Sequence, residues 1–370
     1  MVVRTFGLHG RLRVYFLRMS ILPLSGLAAI LVEQHAPLVV DTVQLPAELN
    51  FGQVLVRLSF SGICGAQIGE IDGAKGADPF LPHLLGHEGS GEVIALGSGV
   101  STVAEGDHVV LHWRPGDGLR GEPPRYRWNG QELNAGWVTT FNEYAVVSED
   151  RITRIPGSFP LDIAPLLGCA VTTAFGVISN DACLKPGESV VVFGAGGVGL
   201  SIIQAATMMS AHPMVAVDLF PERLHLAREL GATHCITSST DGAERAIREV
   251  LPESVADVCV DTTGNPAVIE LAIRVAGHKG RIVLVGVPHP TSAVSVHTLQ
   301  FHFGKRLTGS HGGSSLPATD IPRLVRLIEA GKLDLGHLIT RRQPLHQVND
   351  AITAMRSGEL RGRCLLEIGR

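Results

Sequence analysis

Gly194-Ala195-Gly196-Gly197-Val198-Gly199 follows the short apolar run 189–193 and opens a helical stretch over 198–209. In a G-x-G-x-x-G turn between strand and helix each glycine has its own task. Gly194 permits the tight turn, Gly196 lets a pyrophosphate approach the backbone, and Gly199 lets helix and strand pack closely. The helix N-terminus, beginning near Gly197 and Val198, offers free N–H groups and partial positive charge to phosphate. Taken alone the hexapeptide is a weak signal, because glycine turns are common.

Its surroundings strengthen it. A second strand, 214–217, ends in Asp218, 24 positions after Gly194. A carboxylate there would accept hydrogen bonds from both ribose hydroxyls and repel a 2′-phosphate, which predicts NAD rather than NADP. The plainer alternatives are a helix N-cap or a surface acid. Arg223 either faces the same ribose or is solvated on the helix surface. Helix 221–230, strand 234–237, helix 242–250, strand 257–261, helix 267–276 and strand 281–285 continue the alternation. Such alternation predicts an α/β, doubly wound parallel sheet.

The front of the chain, 26–155, differs. Short strands at 37–43, 54–60, 92–96, 108–112 and 142–147 are broken by Gly and Pro, which predicts an irregular β domain. After residue 320 come two helices and a closing strand, 364–368. A chain of 370 residues suffices for two domains with separate cores.

Three scattered residues could hold a metal. Cys64 stands in Ser-Gly-Ile-Cys-Gly, His87 in Gly-His-Glu-Gly-Ser-Gly, and Cys169 in Leu-Leu-Gly-Cys-Ala-Val-Thr-Thr. Two thiolates and an imidazole, with the fourth position open, make a catalytic zinc site. Singly, each has a bland alternative: a small buried hydrophobe for Cys, a hydrogen-bonded core residue for His.

The segment 86–100 fits G-H-E-x-x-G-x5-G-x2-V throughout. With Cys64 before it, Cys169 after it and the Gly-rich turn about 25 residues beyond Cys169, the chain resembles the medium-chain zinc-dependent alcohol and polyol dehydrogenases from about Gly26 to its end. That resemblance implies a Rossmann domain inserted into a GroES-like β-rich catalytic domain, with the active site between them. The implied division is 23–170 catalytic, 171–311 Rossmann, and 312–370 returning to the catalytic domain. It makes Cys64, His87 and Cys169 resemble the zinc ligands and Glu88 the nearby acid that can approach the metal. Thr173 resembles the threonine packed at the nicotinamide, with Val198 and Val285 beside the ring. Arg363 resembles the arginine that pairs with the pyrophosphate, with Arg361 its rival by slippage. Trp113 and Phe141 align with residues lining the alcohol pocket. The implied chemistry is activation of an alcohol by zinc and hydride transfer to NAD.

Two departures stand out. Many relatives bind a second, structural zinc through four clustered cysteines, but the stretch 112–137 has none, so one catalytic zinc is expected. It carries Trp113, Arg114, Arg120, Arg125, Tyr126 and Trp128 instead, as a replaced surface loop or a remodelled substrate or subunit contact. The family's proton relay often uses Ser or Thr two residues after the first Cys and His five after it; here stand Ala66 and Gly69. Glu70, His112, water or a hydroxyl of the substrate is then the proton acceptor, unless Glu70 is an ordinary exposed acid. Gln67 would sit beside His87, where an acid is commoner.

A neighbouring hydroxyl could replace the relay, which favours a sugar, polyol or cyclitol as substrate. A simple alcohol or a thiol adduct of formaldehyde is the alternative. A reading of another class, a non-catalytic NAD(H)-binding sensor or structural protein, is opposed by the complete ligand set. The partners expected are a small alcohol or carbonyl compound and further copies of the chain, as a homodimer or homotetramer.

A formal net charge of −4 without charged blocks argues against nucleic acid. No run reaches the roughly 18 apolar residues of a membrane span. Six cysteines without a C-x-x-C pair fit a reducing cytoplasm. Arg4, Arg11, Arg13 and Arg18 ahead of the apolar run 21–32 imitate a signal peptide. Pro23 and Gly26 break that run, so 1–22 is expected to be a disordered or misassigned extension, with Met19 as an alternative start.

Overall fold

Val190–Phe193, four apolar residues in a row, lies at the middle of a six-stranded sheet. Val190 and Val192 pack on one face with Leu200 and Ile203, and Val191 and Phe193 on the other with Ile269 and Ile273. Burial on both faces is why this strand is continuously apolar rather than alternating. The computed structural model describes residues 23–238 and 240–369; the expected extension, 1–22, lies outside them.

From edge to edge the strands of this sheet are His234–Thr237, Met214–Asp218, Val190–Phe193, Ala256–Asp261, Ala276–Leu284 and Arg306–Gly309, all parallel. Strand order reverses between Val190–Phe193 and Ala256–Asp261, where ligands of doubly wound sheets bind. The helices Gly197–Met208, Pro221–Glu229, Thr240–Val250 and Pro266–Val275 connect them, within a residue or two of the expected ranges. The outer strand Arg306–Gly309 escaped the pattern because Leu307 is its one large apolar residue and the strand is half exposed.

The other domain is built from two sheets of mainly antiparallel strands. At the centre of one, Gln53–Gly62 pairs with Gly89–Leu96, Tyr144–Ser148 and Arg363–Glu367. The last of these brings the end of the chain back beside the first domain's core. Its parallel neighbour Ile339–Pro344 was illegible because Thr, two Arg, Gln and Pro fill it and it lies at the sheet's edge. Among the described residues no helix is long and apolar enough to cross a membrane.

Candidate active site

Local structure brings the three metal candidates together. Cys64 caps the helix Gly65–Ile71, His87 follows a turn that needs positive φ at Gly86 (+92°), and Cys169 precedes the helix Ala170–Gly176. One ligand atom from each lies within 4.8 Å of the others. Cys64 and Cys169 are buried, and His87 Nε2 is a buried nitrogen with no hydrogen-bond partner. The neighbouring Cys169 sulfur holds Cys64 well below the ordinary thiol range, and the Cys64 sulfur together with burial pushes Cys169 well above it. Two soft sulfurs beside an unpartnered imidazole nitrogen fit a zinc cage with an open position.

The cage is supported from several directions. Gln67 touches both Cys64 and His87, with its Oε1 3.1 Å from the Cys64 backbone nitrogen and its Nε2 2.5 Å from His87 Nδ1. Trp113 and Thr173 both reach the Cys169 sulfur. Glu88 is fully buried; its Oε1 pairs with the Arg363 guanidinium, while its Oε2 has no partner. Arg363 also lies against the Gly-rich turn, since a Cβ on Gly197 would come within 2.3 Å of Arg363 Cδ. Its rival Arg361 is exposed. Arg363 therefore spans from the acid beside the metal cage to the nucleotide turn.

In that turn Gly194 has φ +91°, and a Cβ on Gly199 would sit 1.8 Å from the Gly194 carbonyl oxygen. Only glycine permits both. The Asp218 carboxylate accepts N–H bonds from Ala195 at 2.6 Å and Phe220 at 2.9 Å, and Arg223 stands 3.9 Å away. Gly194, Gly196, Asp218, Phe220, Arg223 and Thr263 face one crevice of about 410 Å³. Val198 and Val285 are partly buried against the core nearby.

A larger cavity, about 900 Å³, opens beside His87 and Gln67. Glu70, His83, Trp137 and Thr139 are among its lining residues. Burial raises the Glu70 carboxyl above its usual range, against the opposing fields of His87, His83 and Lys75. Trp137 was missed in the sequence because its role depends on the fold, with Arg120 and Arg151 stacked over its ring.

Two expected site residues are placed elsewhere. His112 cannot take a substrate proton: its Nδ1 bonds the Arg114 carbonyl at 2.7 Å and its Nε2 the Thr153 hydroxyl at 2.9 Å. Those two bonds occupy both ring nitrogens, and burial separately lowers its pKa to about 4. Phe141 does not line the cavity but is fully buried in the core of the β domain. Its ring packs against the Gly86 turn, where a Cβ would come within 2.8 Å of Phe141 Cδ1. Trp113, beside Cys169, also meets His311, ring centroids 4.9 Å apart, and Arg114 donates to the carbonyls of His311 and Ser315. No sequence signal joins these, 197 residues apart.

A doubly wound nucleotide domain against a thiolate–imidazole cage defines a metal-dependent, nucleotide-linked oxidoreductase. The alcohol dehydrogenase GroES-like domain matches residues 50–157 and the zinc-binding dehydrogenase domain residues 197–330. Alcohol dehydrogenase 6 of Peromyscus maniculatus is 33% identical over 92% of this chain and 96% of its own length. An S-(hydroxymethyl)glutathione dehydrogenase of Synechocystis is 31% identical over 90% and 97%. Among solved structures, benzyl alcohol dehydrogenase from Acinetobacter calcoaceticus superposes with TM-score 0.83 at 27% identity, covering 93% of this chain and 99% of that one. The chain belongs to the zinc-dependent medium-chain alcohol dehydrogenase family, and is an enzyme that moves hydride between an alcohol and a nicotinamide dinucleotide.

Proposed function

We propose an NAD-preferring dehydrogenase that uses one zinc per subunit, held by Cys64, His87 and Cys169, and acts on a polyhydroxylated alcohol. The approach of these three ligands to within 4.8 Å carries the reading. When bound, zinc supplies a Lewis acid that lowers the pKa of the alcohol hydroxyl, and the nicotinamide supplies the hydride acceptor.

The chain's own residues divide the remaining work. N–H groups of the turn at Gly196, Gly197 and Val198, together with Arg363, bind the pyrophosphate. Asp218 receives the ribose hydroxyls and disfavours a 2′-phosphate; Arg223 serves the same ribose. Thr173, Val198 and Val285 pack at the nicotinamide. Glu88 neutralises Arg363 and keeps it extended between the two sites. Glu70, a carboxylate in the cavity beside His87, takes the proton of the alcohol directly or through a substrate hydroxyl.

The roomy cavity, with Gln34, Glu70, Asp78 and Arg125 among its lining residues, favours a polyol, sugar or cyclitol over a small apolar alcohol. A second reading, a hydroxymethyl thiol adduct, is supported by the names of relatives about 31% identical. Lys75 and Arg125 in the cavity wall could receive the carboxylates of such an adduct. Steady-state assays with NAD+ against polyols, simple alcohols and S-(hydroxymethyl)glutathione test both. A kcat/KM for a simple alcohol equal to that for every polyol would overturn the first. We further propose a homodimer or homotetramer working in the cytoplasm.

A further inference from the structure

Gln67 has one amide oxygen for two donors. It stands at the third position of the helix capped by Cys64, where a Gln side chain reaches back to the cap's backbone N–H. Its Oε1 does so, 3.1 Å from the Cys64 nitrogen, and this places Nε2 against His87 Nδ1 at 2.5 Å. In that arrangement Nδ1 must accept, so the single proton of the neutral ring belongs on Nε2. Yet Nε2 is the nitrogen left without a partner, while the other face of the ring is taken by Gln67.

Metal coordination through Nε2 requires the opposite tautomer. The ring proton then sits on Nδ1 and needs an acceptor, commonly a carboxylate or a carbonyl. Gln67 can supply its carbonyl only by turning its amide over, which sets its NH2 group against the Cys64 N–H. With the metal on Nε2, whichever way the amide faces, one donor meets another donor.

We infer that Gln67 is a positioning residue which makes metal binding compete with the cap of the helix Gly65–Ile71. Zinc loading turns the Gln67 amide, shifts the ring proton of His87 from Nε2 to Nδ1, and releases the Cys64 N–H. The inference rests on the zinc site assigned to Cys64, His87 and Cys169. A carboxylate at position 67 has two acceptor oxygens and escapes the conflict, so this chain holds its metal less tightly than its Gln67→Glu variant.

The test uses full-length protein with and without zinc. Amide hydrogen exchange at Cys64 should be slow in the metal-free protein and faster after zinc is added. Nitrogen NMR of labelled histidine should find the His87 proton on Nε2 before loading and on Nδ1 after it. In chelator competition Gln67→Glu should retain zinc about 10- to 100-fold more tightly, the scale of such supporting contacts. Cys64 exchange in that variant should be slow in both states. Equal protection of the wild-type Cys64 amide with and without zinc overturns the inference, even if Gln67→Glu gains affinity, because the gain is then that of charge alone. Failure of the wild type to bind zinc would instead overturn the metal site on which it rests.

Discussion

Arg363 and Glu88, 275 residues apart, form an ion pair sealed from solvent, with side-chain exposures of 4% and 0%. Such a pair gains little over a hydrophobic equivalent, but losing one partner leaves the other charged and buried. Arg363→Ala should therefore destabilise the protein by about 3–5 kcal/mol in denaturant titrations. It should also raise the Kd for NAD+, because the same side chain lies against Gly197. Unchanged stability would mean that water reaches Glu88.

Metal content follows from the ligand set. Elemental analysis should find close to one zinc per subunit, lost in Cys64→Ala and in Cys169→Ala. Two tightly held zinc ions per subunit would contradict the proposed site.

Asp218 is the residue proposed to set cofactor choice. The wild type should prefer NAD(H), and Asp218→Ala should weaken NAD+ binding by about 10- to 100-fold, from about 1.5–3 kcal/mol per bond to a charged group. Discrimination against NADP+ should relax at the same time. Part of the loss comes from the turn itself, since the carboxylate holds the Ala195 and Phe220 N–H groups. Titrations in which the wild type favours NADPH would refute the assignment.

Glu70 can accept a proton only when ionised. Burial raises its pKa, so turnover should fall as pH drops through a limb above the ordinary carboxylate range. Glu70→Gln should remove that limb and lower turnover by about 10²-fold or more, with zinc retained. His112→Ala should cost stability instead, because its ring bonds are internal. A Glu70→Gln enzyme with wild-type turnover and pH profile would return the proton to bulk water.

Phe141 and Trp137 separate core from cavity. Phe141→Ala should cost about 3–5 kcal/mol of stability with KM for the alcohol unchanged. Trp137→Ala, at an indole 42% exposed in the cavity wall, should move KM and leave most of the stability. The reverse pattern would put Phe141 back in the pocket.

Much of this protein was legible before any fold was known, because the determining interactions are local. A turn with positive φ at Gly194 and a backbone contact at Gly199 can be made only by glycine, so the nucleotide turn is written in six consecutive residues. The fully buried strand Val190–Phe193 announces itself by its unbroken apolar run, and Asp218 by its place at the end of the next strand. The candidate metal ligands were readable as residue types, through a resemblance that spans 86–100 and the two cysteines outside it. Tertiary structure decided what depends on direction and on distant partners. It turned Phe141 into the core and Trp137 toward the cavity. It spent both nitrogens of His112 on neighbours. It also drew Arg363 to Glu88 and His311 to Trp113 across hundreds of residues. Side-chain facing and long-range pairing are set by the whole packed chain, so no spacing within the sequence could have carried them.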